Sequence, residues 1–219
     1  MSEFKHNIFE QFARIGKALS NGNRLQMLEF LAQRECSVEE LANVSGLSVA
    51  NTSQHLQQLR QVGLVSSVKR GLKVFYRVSS DDVVELMRVM RCVAENHLAE
   101  VGHLVNTFLT VKDELEPLRR EELMQRVEQG LVTVIDVRPA EEYAAGHLPG
   151  AVNIPPQELE QRLQLLDAGQ EIVAYCRGAH CVYSFNAVQQ LRQRGFTASR
   201  LEDGFPEWKG AGYPVELSA

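Results

Sequence analysis

Between Ser37 and Gly63 the chain prescribes two helices and the corner that joins them. Ser37 is followed three residues later by Glu40, the spacing at which a hydroxyl meets a free helix N–H while the carboxylate reaches back, so a short helix is expected from there to Val44. Ser45-Gly46-Leu47 is the turn, because Gly46 can take a positive φ that a side chain would resist. Ser48 caps a second helix that runs to about Gln61, and Gly63 stops it. Upstream, Ile8, Phe9, Phe12, Ile15 and Leu19, then Leu25, Leu28 and Leu31, recur at three-to-four spacing and predict helices over 8–19 and 23–33. Two short helices across a tight glycine turn describe a helix-turn-helix, whose second helix offers its early residues to a DNA major groove. On that helix Ser48, Asn51, Thr52, Gln54, His55 and Gln58 are polar, whereas Val49, Leu56 and Leu59 are expected to pack inward. Asparagine and glutamine pair with adenine edges, and hydroxyls hold phosphates.

The segment after this helix has the character of a wing. Leu64 to Val68 and Leu72 to Val78 are β-branched or aromatic runs separated by Lys69-Arg70-Gly71, a hairpin signal. The overall net charge is −5, but residues 1–111 carry 12 Lys/Arg against 11 Asp/Glu and the remainder 11 against 17. Between Glu40 and Asp81 no acidic residue occurs, while Arg60, Lys69, Arg70, Lys73 and Arg77 do, as expected of a phosphate-facing surface. On these features, and on the run Asn51-Thr52-Ser53-Gln54-His55-Leu56-Gln57-Gln58-Leu59, the sequence over roughly residues 8–110 resembles the arsenic-repressor (ArsR) family of winged-helix regulators. The resemblance implies a homodimer with its first and last helices as interface, bound to double-stranded, near-palindromic operator DNA. Family metal sites are not matched. The helix before the recognition helix, Glu39 to Asn43, holds no cysteine, and Glu95, His97, Glu100 and His103 lie at the wrong spacing, so no metal is expected. Cys36 and Cys92 are either buried inert thiols or a sensing dithiol of the kind some sulfide-responsive relatives use.

A charged stretch ending in proline, 112–117, reads as a linker between a first domain at 1–111 and a second at 118–219. In the second, a helix over Glu121 to Gln129 precedes apolar strands at Val132 to Val137, Ala151 to Ile154, Ile172 to Tyr175 and Thr197 to Leu201, with helices intervening. That alternation predicts an α/β domain with a mainly parallel sheet, whose sites lie at the carboxyl ends of the strands. Cys176 ends the strand Ile172 to Tyr175 and opens the loop Arg177-Gly178-Ala179-His180-Cys181 before a helical pattern. Free cysteine titrates near ~8.5, and a helix N-terminus can bring it to roughly 3.5–7.5, so a reactive thiolate is expected there.

Three separated segments surround that loop: Asp136-Val137-Arg138-Pro139, Glu142 to Ala151 with His147 inside it, and Asp203-Gly204-Phe205-Pro206-Glu207-Trp208. With the loop they resemble the rhodanese family of sulfurtransferases over about residues 118–217. The resemblance implies that Cys176 accepts a sulfane sulfur as a persulfide, cradled by backbone N–H groups from Arg177 to about Val182. Asp136, Arg138, Glu142 and His147 are then supports rather than catalysts. Many active members have an arginine five residues after the cysteine, where this chain has Cys181, which places thiosulfate activity in doubt and leaves Arg177 and His180 to supply positive charge. Cys181 is instead a candidate resolving thiol, or else a packed side chain pointing away. Related phosphatase loops need an arginine at the position of Val182, which disfavours that chemistry.

The sequence therefore predicts two domains, a mainly-α winged helix-turn-helix followed by a rhodanese-like α/β domain. The expected function is a DNA-binding repressor that responds to a sulfane-sulfur donor or other small oxidant through Cys176, with no cofactor. Two alternatives stay open: a sulfurtransferase tethered to DNA without sulfur-dependent regulation, and a thiol or metalloid sensor using Cys36 and Cys92. No apolar run approaches ~20 residues, and Met1-Ser2-Glu3-Phe4-Lys5-His6 lacks a charged-then-apolar layout, so a cytoplasmic location away from the membrane is expected. Four scattered cysteines do not make a disulfide scaffold.

Overall fold

Apolar spacing and caps shape the first helices of the computed structural model, which describes residues 3–110 and 116–218. Helices α1 (Glu3–Leu19) and α2 (Gly22–Gln33) precede a two-residue strand β1 (Cys36–Ser37), then α3 (Val38–Ser45) and α4 (Val49–Gln61). The capping box at α3 is reciprocal: Glu40 N donates to Ser37 Oγ at 3.2 Å and Ser37 N to Glu40 Oε2 at 2.7 Å. Gly46 takes φ 67° at the corner, and Ser48 Oγ accepts from Asn51 N at 3.3 Å at the head of α4. Leu28, Leu31, Leu41, Leu56 and Leu59 meet in one buried core with Tyr76. Truncating any of these leucines to alanine would leave a cavity costing about 2–5 kcal/mol.

The hairpin is β2 (Val65–Arg70) and β3 (Lys73–Val78), paired antiparallel with Arg70 opposite Lys73. The turn is thus Gly71-Leu72 rather than Lys69-Arg70-Gly71. Gly71 supplies φ 61° at the first central position, as a type II′ turn requires, which draws both basic residues into the strand and leaves Leu72 fully exposed at the tip. The strand β1 was not legible in the sequence; it adds to β3 with Cys36 opposite Tyr76, making a three-stranded sheet and burying Cys36.

Helix α5 (Asp81–His97) crosses a division of the chain into two compact units, Met1–Met87 and Arg88–Ala219. The division falls before the expected linker, of which Lys112 to Leu115 lie outside the described residues; Arg91 and Glu95 of α5 belong to the second unit and bond there to Asp203, Glu207 and His180. Beyond α5 come α6 (Ala99–Val105), a π-helical turn (Asn106–Thr110), α7 (Arg120–Glu128), β4 (Val132–Asp136), α8 (Ala140–Ala145), β5 (Val152–Asn153), α9 (Leu159–Arg162) with a 3₁₀ turn (Leu163–Leu165), β6 (Glu171–Tyr175), α10 (Val182–Gln193), β7 (Ala198–Arg200) and α11 (Phe205–Gly210).

These four strands form one parallel sheet in the order β5-β4-β6-β7. Alternation along β6 sends its side chains to two cores, one on each face. Ile172, Ala174 and Cys176 pack with Ala187, Val188 and Leu191 of α10, whereas Val173 and Tyr175 pack with Leu123, Phe205 and Trp208. Among the described residues no helix is long and apolar enough to cross a membrane.

Candidate functional site

Cys176 lies at the carboxyl end of the inner strand β6, almost wholly buried, and its Sγ is joined to that of Cys181 in a disulfide whose Cα atoms are 6.1 Å apart. Cys181 is also the N-cap residue of α10, so the bond closes the loop across the head of that helix. In this state Cys176 is not the thiolate expected from its position. One amide of the expected backbone cradle, Cys181 N, is already engaged by Gly178 O at 3.1 Å.

The loop is held from outside at several points. Phe205 N donates to Cys176 O at 3.1 Å, and Gly204 packs so closely that a Cβ there would fall 2.2 Å from the Arg177 carbonyl carbon. That approach explains the glycine in the Asp203-Gly204-Phe205 segment. Arg177 Nε lies 3.0 Å from both Glu142 carboxylate oxygens, and its guanidinium sits 5.8 Å from the Tyr183 ring centre. Its charge is therefore directed to Glu142 rather than to an incoming anion, a correction to the sequence expectation. His180 Nε2 is 2.7 Å from Glu95 Oε1. Burial, reinforced by Arg91 and Arg200 and opposed by Glu95, holds His180 below its ordinary value, so it too is a weak source of positive charge.

The other supports form a buried clamp at the end of β4. Arg138 bonds Asp136 through Nε at 3.0 and 3.1 Å and through Nη2 at 2.6 Å, and Nη2 also donates to Gly146 O at 2.7 Å. Its guanidinium lies 4.2 Å from the Phe205 ring centre. Tyr175 Oη donates to Asp136 and accepts from Leu148 N at 3.1 Å. Burial and the Asp136 charge push the Tyr175 phenol well above its ordinary value, which keeps it a donor. His147 stacks on Tyr143 and has Nδ1 3.0 Å from Tyr143 O. Sequence reasoning passed over Tyr175; its polar tip in a buried strand was the available signal, since such a hydroxyl needs a partner.

In the first unit the recognition helix shows a different division of labour. Ser48, Asn51 and Gln54 are exposed, but Thr52 is fully buried with Oγ1 unpartnered, so it does not face a groove. Val49, expected inside, is about half exposed. Gln58 accepts from Arg24 at 2.5 Å, and Arg24 also donates to Ala18 O and, at 3.0 Å, to Lys17 O, so Gln58 ties α4 to α2. His55 is half-buried; burial, then Arg24, lower it from its ordinary value. On the wing Lys69, Lys73 and Arg77 are exposed, with Arg77 Nε donating to Ser66 Oγ at 3.3 Å. Arg70 pairs with Glu35 at 2.5 Å. Arg60, one of the basic residues expected on the phosphate-facing surface, donates to Ser67 Oγ at 3.3 Å and joins helix to wing. Among the described residues no cluster of three or more His, Cys, Asp or Glu could hold a metal ion.

Comparison with known proteins places both units. Residues 21–67 match the bacterial regulatory protein, arsR family, and residues 119–211 match the rhodanese-like domain. The HTH-type transcriptional regulator Rv0324 of Mycobacterium tuberculosis is 44% identical over 218 residues, 100% of this chain and 96% of that protein. The chain belongs to the arsR-family transcriptional regulators that carry a rhodanese-like domain. A homodimeric winged helix-turn-helix DNA-binding fragment from Mycobacterium bovis is 41% identical, covering 45% of this chain and 91% of its own, at a TM-score of 0.42. A rhodanese-related protein from Thermoplasma volcanium is 30% identical, covering 48% of this chain and all of its own, at a TM-score of 0.43.

Proposed function

We propose that this regulator is a homodimeric repressor whose hold on operator DNA is relieved by reactive sulfur through Cys176. The observation that carries the reading is the Cys176–Cys181 bond across the head of α10, in a chain that also exposes the polar positions of a recognition helix. Residues 1–111 are then the DNA-binding and dimerisation part and 118–219 the sulfur-handling part. The exposed apolar stripe of α1, with Phe4, Phe9 and Phe12, and that of α5, with Leu86, Val89 and Val93, supports a dimer built on the first helix and the long helix that follows the wing. Ser48, Asn51 and Gln54 with Lys69, Lys73 and Arg77 supply the DNA contacts.

The chemistry balances with a polysulfide as donor. The Cys176 thiolate attacks a sulfane sulfur, and the S–S bond broken there leaves its electron pair on the departing shorter polysulfide. The Cys181 thiolate then attacks Cys176 Sγ and expels the outer sulfur as hydrosulfide. Two thiols are oxidised to a disulfide, one sulfane sulfur is reduced to sulfide, and the two thiol protons leave with sulfide and solvent. For DNA affinity to change, the modified loop must favour one state of the dimer over the other.

Fluorescence anisotropy on DNA from upstream of its own gene, with and without inorganic polysulfide, tests this for wild type, Cys176→Ser and Cys181→Ser. Release in wild type and retention in Cys176→Ser is the expected result. Equal release in both overturns the reading. Tight binding that ignores polysulfide, with turnover of a sulfane donor, replaces it with a tethered sulfurtransferase.

A further inference from the structure

The Cys176 loop is shaped by partners it does not itself contain. Glu142 of α8 takes Arg177, Gly204 presses on the Arg177 and Gly178 backbone, and Glu95 of α5 takes His180. Arg91, one turn before Glu95, places Nη1 3.0 Å from Glu207 and Nη2 3.3 Å from Asp203, the residues flanking the Gly204-Phe205-Pro206 segment that braces the loop. A side-chain carbon on Gly178 would meet Arg91 Nη1 at 3.7 Å and Glu207 Oε1 at 3.8 Å, so these groups close over the middle of the loop. Two residues of one helix face thus reach both the loop and its brace. All of these groups belong to the second unit, Arg88–Ala219.

His180 immediately precedes Cys181, so whatever fixes its backbone also fixes where the Cys181 sulfur lies. Bonded sulfurs lie about 2.05 Å apart, whereas two thiols need a van der Waals separation. The loop cannot keep one shape in both states, and a contact made in the disulfide shape adds to the equilibrium between them. We propose that Glu95 and His180 are a positioning pair for the Cys176–Cys181 couple: their hydrogen bond favours the disulfide over the dithiol, with Arg91 holding the brace behind them. The proposal rests on the sulfur-responsive reading above and gives it an element, because α5 also contributes Val83 to the core of the first unit. A change of loop state felt at Glu95 is felt by a helix on which that unit is built.

The test equilibrates the full chain in buffers of graded glutathione disulfide to glutathione ratio. One protein disulfide forms as one glutathione disulfide is reduced to two thiols, and free thiols are trapped with a maleimide and assigned by peptide mass. Wild type is compared with Glu95→Gln, His180→Asn and the double variant. Each single substitution is expected to shift the equilibrium constant about tenfold toward the dithiol, roughly 30 mV in midpoint, and the double no further than the larger single. Unchanged midpoints in both singles overturn the proposal, as do shifts that simply add in the double. Failure here is separable from failure of the wider reading. Shifted midpoints with wild-type DNA binding indifferent to polysulfide leave the pair standing and remove the regulatory role. Release of DNA by polysulfide with unshifted midpoints does the reverse.

Discussion

At the scale of single residues, polar type and position along the chain predicted chemistry better than orientation. Thr52 has the residue type for a phosphate contact, yet its side chain is wholly inside and its hydroxyl lacks a partner. Thr52→Val should therefore stabilise the first unit by about 1 kcal/mol and leave DNA affinity unchanged, checked by urea unfolding and anisotropy on one preparation. A loss of affinity would mean that the hydroxyl does reach the DNA. His180 illustrates the opposite case, an expected cation whose charge burial disfavours, with Arg91 and Arg200 acting in the same direction and Glu95 against it. A histidine lowered in the folded state binds its proton more readily when unfolded, so its contribution to stability is full above the ordinary value of about 6.5 and is lost as pH falls below it. His180→Asn should remove that part of the pH slope, seen as a smaller drop in the unfolding midpoint between pH 7 and 5 than wild type shows.

At the scale of elements, the wing separates charge count from available charge. Exposed Lys73 is expected to neutralise a phosphate, so Lys73→Ala should reduce the slope of log affinity against log salt by about 0.9. Arg70 shares its charge with Glu35 and sits over Phe75, so Arg70→Ala should reduce the slope by less. Equal effects from the two would show that the Glu35 pair opens on DNA. Elements were legible wherever caps or alternation marked them: the Ser37 box, the Ser48 cap and the four strands of the second unit all lie near their expected positions. The hairpin turn was displaced because a type II′ turn needs a positive φ at its first central position, which Gly71 takes between the paired Arg70 and Lys73. Strand β1 was missed because a two-residue strand exists only through its partner β3.

At the scale of the whole molecule, the exposed aromatic face of α1 calls for a partner of like kind. Phe9 and Phe12 meet edge to face, 5.9 Å between centres, and both are more than half exposed. Phe12→Glu should convert the expected dimer to monomer in sedimentation velocity and weaken operator binding at least tenfold, since two half-sites would no longer be engaged together. A dimer that survives the substitution would place the interface elsewhere. By itself the sequence determined the helix-turn-helix with its wing, the parallel α/β domain and the placing of Cys176 at a strand end, because these follow from local periodicity, caps and turn residues. Only the tertiary structure decided which polar groups are available: Thr52 inward, Gln58 bound to Arg24, Arg177 to Glu142, and His180 to a helix far earlier in the chain. The reason is physical. Backbone conformation is governed by neighbours within a few residues, whereas burial and ion pairing depend on groups that meet only when distant segments pack.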